Sequence, residues 1–154
     1  PGATQLMPAE IVTAVSAPPP PPRSGLSYQY LSERGDIDIS AVGAAAFLAL
    51  DADGTCSQAR IALGGVAPTP LRVPAAEALL RGCALDEPNA EDIMDRAAVA
   101  AAEAASPISD VRASAGYRRR MARVLVRRAL AEAAARARAA ASRPHGSSGE
   151  GRPS

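Results

Sequence analysis

What most constrains this chain is a change of period at Gly64-Gly65. Before that pair the apolar residues recur every second position; after it they recur at helical spacing. Val42, Ala44, Ala46, Leu48 and Leu50 fall on one side of an extended segment, the pattern of a half-buried strand. Asp51-Ala52-Asp53-Gly54 is a turn signal, because glycine takes positive φ cheaply, and Cys56–Leu63 is the returning strand. With Ser27–Ser32 before them, these segments predict a three-stranded antiparallel sheet with strands near 27–34, 38–50 and 55–63. A sheet with one apolar face needs a cover. Three helices can supply it, near 74–81, 89–105 and 114–141. Gly82 stops the first, the second ends before Ser106-Pro107, and Ser114 is an N-cap candidate for the third. The expected fold class is α+β, a three-stranded antiparallel sheet packed against three helices. On the third helix Tyr117, Met121, Val124, Leu125 and Leu130 form the expected apolar stripe.

The 154 residues suit one domain with loose ends. Leu6–Val15 is short and rich in β-branched residues, and Pro18–Pro22 follows. The pair reads as a last strand leaving a preceding domain, then a stiff extended spacer. The expected organisation is therefore 1–22 as the end of a preceding domain with its linker, 23–141 as the folded domain, and 142–154 as a disordered tail of Pro, Gly and Ser. On this reading the chain is a piece of a longer protein.

Absent residue types remove several chemistries. All 17 basic residues are Arg, so phosphate-loop, Schiff-base and kinase-type lysines are excluded. The single His145 lies in the tail, which argues against histidine zinc sites and histidine-based triads in this chain. Cys56 and Cys83 are 27 positions apart without a CxxC partner. They imply neither a disulfide framework nor an iron–sulfur site, read most simply as small hydrophobes, and suit a reducing cytoplasm. No 18-residue apolar window exists, so membrane insertion is not expected. No catalytic residue and no metal ligand is assigned.

Charge is segregated. Residues 1–110 carry 6 Arg against 14 acids, a net of −8, while residues 111–154 carry 11 Arg against Glu132 and Glu150, a net of +9. A basic helix can neutralise phosphates or face a partner subunit. However, Arg118, Arg119, Arg120, Arg123, Arg127 and Arg128 are interleaved with aliphatic residues, with no stacking aromatic beyond Tyr117. The simpler reading is a helix face that is solvated or paired within the chain. Gly64-Gly65, fixed by Pro68 and Pro70, reads as a tight turn before it reads as a phosphate cradle. Asp110 and Arg112 read as a structural pair.

Two longer stretches carry a resemblance. Gly64-Gly65-Val66-Ala67-Pro68-Thr69-Pro70-Leu71-Arg72 and Pro107–Arg119 (PISDVRASAGYRR) resemble hallmark segments of the C-terminal domain of the FAD-binding medium subunit of molybdenum hydroxylases. This is the carbon monoxide dehydrogenase and xanthine dehydrogenase family. Leu6-x-Pro8-x-Glu10-Ile11-Val12 resembles the exit strand of its preceding FAD-binding domain, and Tyr28-x-x-x-Ser32-x-Arg34 with Asp38-Ile39 and Val42 resembles the first strand of this domain. The match runs in register over roughly residues 6–132.

The resemblance implies an oxidoreductase acting as part of a complex, with this piece alone not catalytic. In the family a large subunit carries the molybdenum cofactor and a small subunit carries two [2Fe–2S] clusters. FAD on the medium subunit passes electrons to an acceptor, held mainly by subdomains absent from this chain. The C-terminal domain covers one side of the flavin and packs the subunits. The implied partners are the large molybdenum and small iron–sulfur subunits, with no nucleic acid. The alternative is a stand-alone interaction module whose Arg-rich last helix binds an acidic protein or nucleic acid. Family members often read Tyr-x-Lys-x-Ser-Arg-Arg in the first strand, the Lys reaching the flavin. Here Tyr30 stands at the Lys position and Glu33 at the first Arg. Tyr30 is thus the one cofactor-binding candidate. It can stack or hydrogen-bond but cannot supply a fixed positive charge, and a plain cross-strand packing role is the competing reading.

Overall fold

A computed structural model of the chain describes residues 4–32, 39–85 and 90–142. Four antiparallel strands lie in sequence order: β1 (Ser24–Leu31), β2 (Val42–Leu50), β3 (Cys56–Gly64) and the two-residue β4 (Leu71–Arg72). Three helices follow: α1 (Pro74–Leu80), α2 (Ala90–Ala104) and α3 (Ala115–Ala141). The three expected strands and three expected helices all form. The ends expected at residues 33–38 and 89, and the tail from 143 on, lie outside the described residues. β4 was not foreseen. A two-residue strand has no period to detect, and it forms because Arg72 and Leu71 pair with Ala62 and Leu63.

The β2–β3 hairpin turns as its residues dictate. Gly54 has φ 86°, its N–H donates to the Asp51 carbonyl at 3.2 Å, and Asp51 N–H donates to Thr55 at 2.8 Å. Along β2 the residues at 42, 44, 46, 48 and 50 are buried, meeting Ile61 and Leu63 of β3 and the helices in one core. Gly82 (φ 79°) ends α1, and the Ser114 hydroxyl caps α3 by accepting from Tyr117 N–H at 3.2 Å.

The buried face of α3 differs from the expected stripe. Leu125 and Leu130 are buried, but Tyr117 and Val124 are exposed and Met121 only borders the core. The buried row is Arg118, Ala122, Leu125, Val126, Ala129, Leu130, Ala133, Ala134 and Ala137. Large side chains mislead here because the helix lies too close to the sheet to fit them. A Cβ placed on Gly25 of β1 would sit 2.1 Å from the Ala133 carbonyl oxygen and 2.7 Å from the Ala137 nitrogen. The alanine row and Gly25 together set that approach.

Residues 4–21 form no strand. Ile11, Val12 and Val15 are exposed, and none of the four strands pairs with this stretch. Gly25→Ala is expected to lower stability by about 3 kcal/mol, since backbone atoms cannot yield to the added methyl. A thermal or urea unfolding curve superimposable on the wild type would contradict the close-packed geometry.

Candidate functional site

The two hallmark stretches meet at one side chain. Arg118, in the first turn of α3, is 5% exposed. Its Nη1 donates to the Ala41 carbonyl at 2.7 Å and the Gly65 carbonyl at 3.0 Å, and its Nη2 donates to Asp110 Oδ1 at 2.7 Å. Asp110 Oδ1 also accepts from the N–H groups of Arg112 (2.9 Å) and Ala113 (3.1 Å). The start of β2, the Gly64-Gly65 turn and the loop before α3 are thus fixed to one guanidinium, whose planar fork suits several acceptors at once. Gly65 has φ 74° and would place a Cβ 2.7 Å from the Ala41 carbonyl oxygen, so glycine is required there for the turn. The Asp110–Arg112 pair forms, at 3.4 Å, but the pairing that organises the loop is with Arg118. That role was hidden in a run of three consecutive arginines; the signal was its place four residues after the Ser of an Asp-x-x-x-Ser cap.

The remaining arginines of α3 answer the acidic half of the chain. Arg123 meets Asp95 at 2.7 Å, and Arg127 lies 3.4 Å from Glu91 and 3.8 Å from Asp95 on α2. Arg119 donates to the Ala105 carbonyl and Arg138 to the Leu85 carbonyl. Arg136 pairs with Glu132, whose Oε2 also accepts from Ser27 and Gln29 on β1. The charge segregation is therefore closed largely inside the fold.

Helices cover one face of the sheet and leave the other bare. On that bare face register places Leu26, Phe47 and Arg60 in one row, Tyr28, Ala45, Ala62 and Arg72 in the next, and Tyr30, Gly43 and Gly64 in the third. The small residues beside the tyrosines let the Tyr28 ring lean over Gly43, its hydroxyl 2.5 Å from where a Cβ would be. Tyr28 and Tyr30 stack with centroids 6.0 Å apart, at 59% and 43% exposure. Gln29 and Leu31 face the helices instead, as strand alternation requires. At the far end of this face a groove of 530 Å³ lies between Pro18–Pro21 and the Leu26–Phe47–Arg60 row. Among the described residues no group of three metal-ligating side chains occurs, and no helix is long and apolar enough to cross a membrane.

The family model for the CO dehydrogenase flavoprotein C-terminal domain matches residues 27–133. The chain belongs to that family. It is 40% identical over 135 residues to the carbon monoxide dehydrogenase medium chain of Afipia carboxidovorans, covering 88% of this chain and 45% of that protein. It is 32% identical over 138 residues to the putative xanthine dehydrogenase FAD-binding subunit of Escherichia coli K12, covering 89% and 46%. A carbon monoxide dehydrogenase structure from Hydrogenophaga pseudoflava, one lacking the Mo-pyranopterin moiety of the molybdenum cofactor, superposes with a TM-score of 0.67 at 38% identity, over 74% of this chain and 38% of that one. The chain thus spans less than half the length of the curated relatives it matches. Its Arg118–Asp110–Gly65 junction lies within the matched range.

The Arg118 guanidinium holds the Asp110 carboxyl down at about 2, helped by the backbone N–H groups of Arg112 and Ala113. Glu77 and Glu132 are lowered too, chiefly by Arg72 and by the Ser27 hydroxyl respectively. Carboxyls depressed in the folded state stabilise it above their unfolded pKa, and that contribution fades as pH falls through the folded value. Melting temperature should therefore hold above about pH 5 and fall between about pH 4 and pH 2. In Asp110→Asn the fall should be shallower; an unchanged acid profile would remove Asp110 from the account.

Proposed function

We propose that this chain is the C-terminal, flavin-side domain of the medium subunit of a molybdenum hydroxylase. The observation that carries this reading is the family match over residues 27–133 together with a tyrosine-bearing sheet face that none of the described helices covers. In the complete protein it works inside an oxidoreductase of the carbon monoxide dehydrogenase and xanthine dehydrogenase type. A large molybdenum subunit and a small iron–sulfur subunit are its partners, and FAD lies on the medium subunit between clusters and acceptor. Residues 1–22 are the exit of the FAD-binding half and its linker, which accounts for the unpaired apolar residues Ile11, Val12 and Val15. We place the complex in the cytoplasm. A stand-alone Arg-rich binding module is not supported, since most arginines of α3 are spent on α2, β1 and loop carbonyls.

The donors present fit a flank for the flavin and do not fit a pyrophosphate cradle. Tyr30 and Tyr28 offer a stacked pair of rings with hydroxyls on the open face, suited to lie beside a planar ring system. The Gly65 carbonyl is instead committed to Arg118, and the start of α3 is closed by the Ser114 cap. FAD, when bound, supplies the electron transfer; this chain's residues pack beside it, exclude water and place a phenol where relatives place an ammonium. Tyr30 is the residue we assign to that contact, in place of the family's Lys.

Two experiments test this. The 154-residue chain should purify colourless, because backbone donors for a pyrophosphate are missing from it; stoichiometric flavin absorbance would sink that part. In the full-length subunit, Tyr30→Phe should cost at most about 0.5–1.5 kcal/mol for a half-exposed hydroxyl while changing the flavin spectrum or its reoxidation rate. A large stability loss with unaltered flavin behaviour would make Tyr30 a packing residue.

A further inference from the structure

The only two cysteines, far apart in sequence, are carried onto facing segments by the turn after α1. Thr55 and Ala84 form an isolated antiparallel bridge. In such a pair the residue after one partner opposes the residue before the other, so Cys56 stands opposite Cys83. One bond joins them directly: Cys56 N–H donates to the Cys83 carbonyl at 2.9 Å, while Cys83 N–H turns to the Leu80 carbonyl at 3.2 Å and Gly82 N–H donates to the Cys56 carbonyl at 2.9 Å. Directly opposed antiparallel residues have Cα atoms about 4.5–5.5 Å apart, and Cys56 and Cys83 share one of the two bonds of such a pair. Disulfides span Cα separations of about 4.4–6.8 Å. The direct backbone bond and the influence of the Cys83 thiol on Cys56 put the two residues side by side, which sequence spacing could not reveal.

The two thiols are free and differ in access: Cys56 is buried and Cys83 half-buried. Each sulfur now makes one weak hydrogen bond, Cys56 Sγ to the Gln58 carbonyl and Cys83 Sγ to the Leu79 carbonyl, both at 3.4 Å. Those two bonds are what linkage would cost locally. Burial, and secondarily the nearness of Cys83, pushes the Cys56 thiol up to about 11, so Cys56 is a poor first nucleophile and the accessible Cys83 must react first.

We propose that Cys56 and Cys83 form an oxidisable dithiol at which a hydroperoxide closes an intramolecular disulfide. The Cys83 thiolate attacks the peroxide, the O–O bond breaks, and Cys83 becomes a sulfenic acid as water or an alcohol departs. Cys56 sulfur then attacks Cys83 sulfur. The S–S bond forms, the S–O bond breaks, and the hydroxyl leaves as water with the Cys56 proton. Two thiols lose two electrons and two protons, and one peroxide is reduced. In a reducing compartment the pair rests as a dithiol between such events. Closure ties the first residue of β3 to the end of α1 and encloses β3, β4 and α1 in one covalent loop.

The test uses the 154-residue chain, reduced and then treated with hydrogen peroxide, with free thiols alkylated before mass analysis. The expected product is a monomer lighter by two hydrogens, with no alkylation and with Cys56 and Cys83 in one linked peptide pair. Restricting a loop of this size should raise the melting temperature by about 5–10 °C, reversed by a dithiol reductant. A one-to-one adduct with phenylarsine oxide should form on the reduced chain and vanish in Cys83→Ser, whose half-buried position spares the fold. Sulfinic acid at Cys83 with Cys56 still alkylatable, a disulfide-linked dimer, or no arsenical adduct on the wild type would each overturn the proposal.

Discussion

The fold rests on how closely α3 lies against the sheet. Gly25 admits the helix backbone where any Cβ would collide with the Ala133 carbonyl, and the helix answers with alanines at 122, 129, 133, 134 and 137, all buried. Small-on-small packing gives each pair little apolar area, so the interface gains by length. The helix runs 27 residues, across β1 and β2. Dispersion from many short contacts replaces a few large ones. The polar cluster of Ser27, Gln29, Glu132 and Arg136 then pins β1 to the helix at its half-buried edge.

That packing also fixes what the helix can do with its arginines. Turned so that alanines meet the sheet, α3 presents Arg123 and Arg127 to the acids of α2 and sinks Arg118 among the carbonyls of Ala41 and Gly65. Exposed pairs such as Arg127–Glu91 contribute little singly. The Arg118 junction is of another kind, because the guanidinium is itself buried and satisfies the buried Ala41 carbonyl. Glu77 does the corresponding work at the opposite edge. Buried at 1% exposure, it accepts from Ile61 N–H at 3.1 Å and grips Arg72 through both oxygens, at 2.8 and 2.9 Å, so the two-residue β4 is anchored to α1 by a bidentate ion pair.

With one face closed by helices, the other is met among the described residues only by Pro18–Pro21 at one end. Its rows grade from the Leu26–Phe47–Arg60 groove to the stacked tyrosines over Gly43. The matched region is less than half the length of the curated relatives, and the tyrosines of this face lie within it. Position 30 presents a neutral, polarisable ring at that face, stacked on Tyr28.

The sequence by itself determined the element order, the hairpin at Asp51–Gly54, the caps at Ser114 and Gly82, and the sides of β1 and β2, because period, turn residues and caps are local properties. It also carried the family, through two motifs whose residues are contiguous. It did not determine which face of α3 is buried: hydrophobic size pointed to Tyr117 and Val124, and the approach distance set by Gly25 selected alanines instead. The burial of Arg118 and Glu77, the strand at 71–72 and the facing of Cys56 and Cys83 were likewise decided by tertiary structure. Each depends on segments distant in the chain being brought together, and only closure of the sheet under α1 and α3 supplies the partner that gives the residue its role.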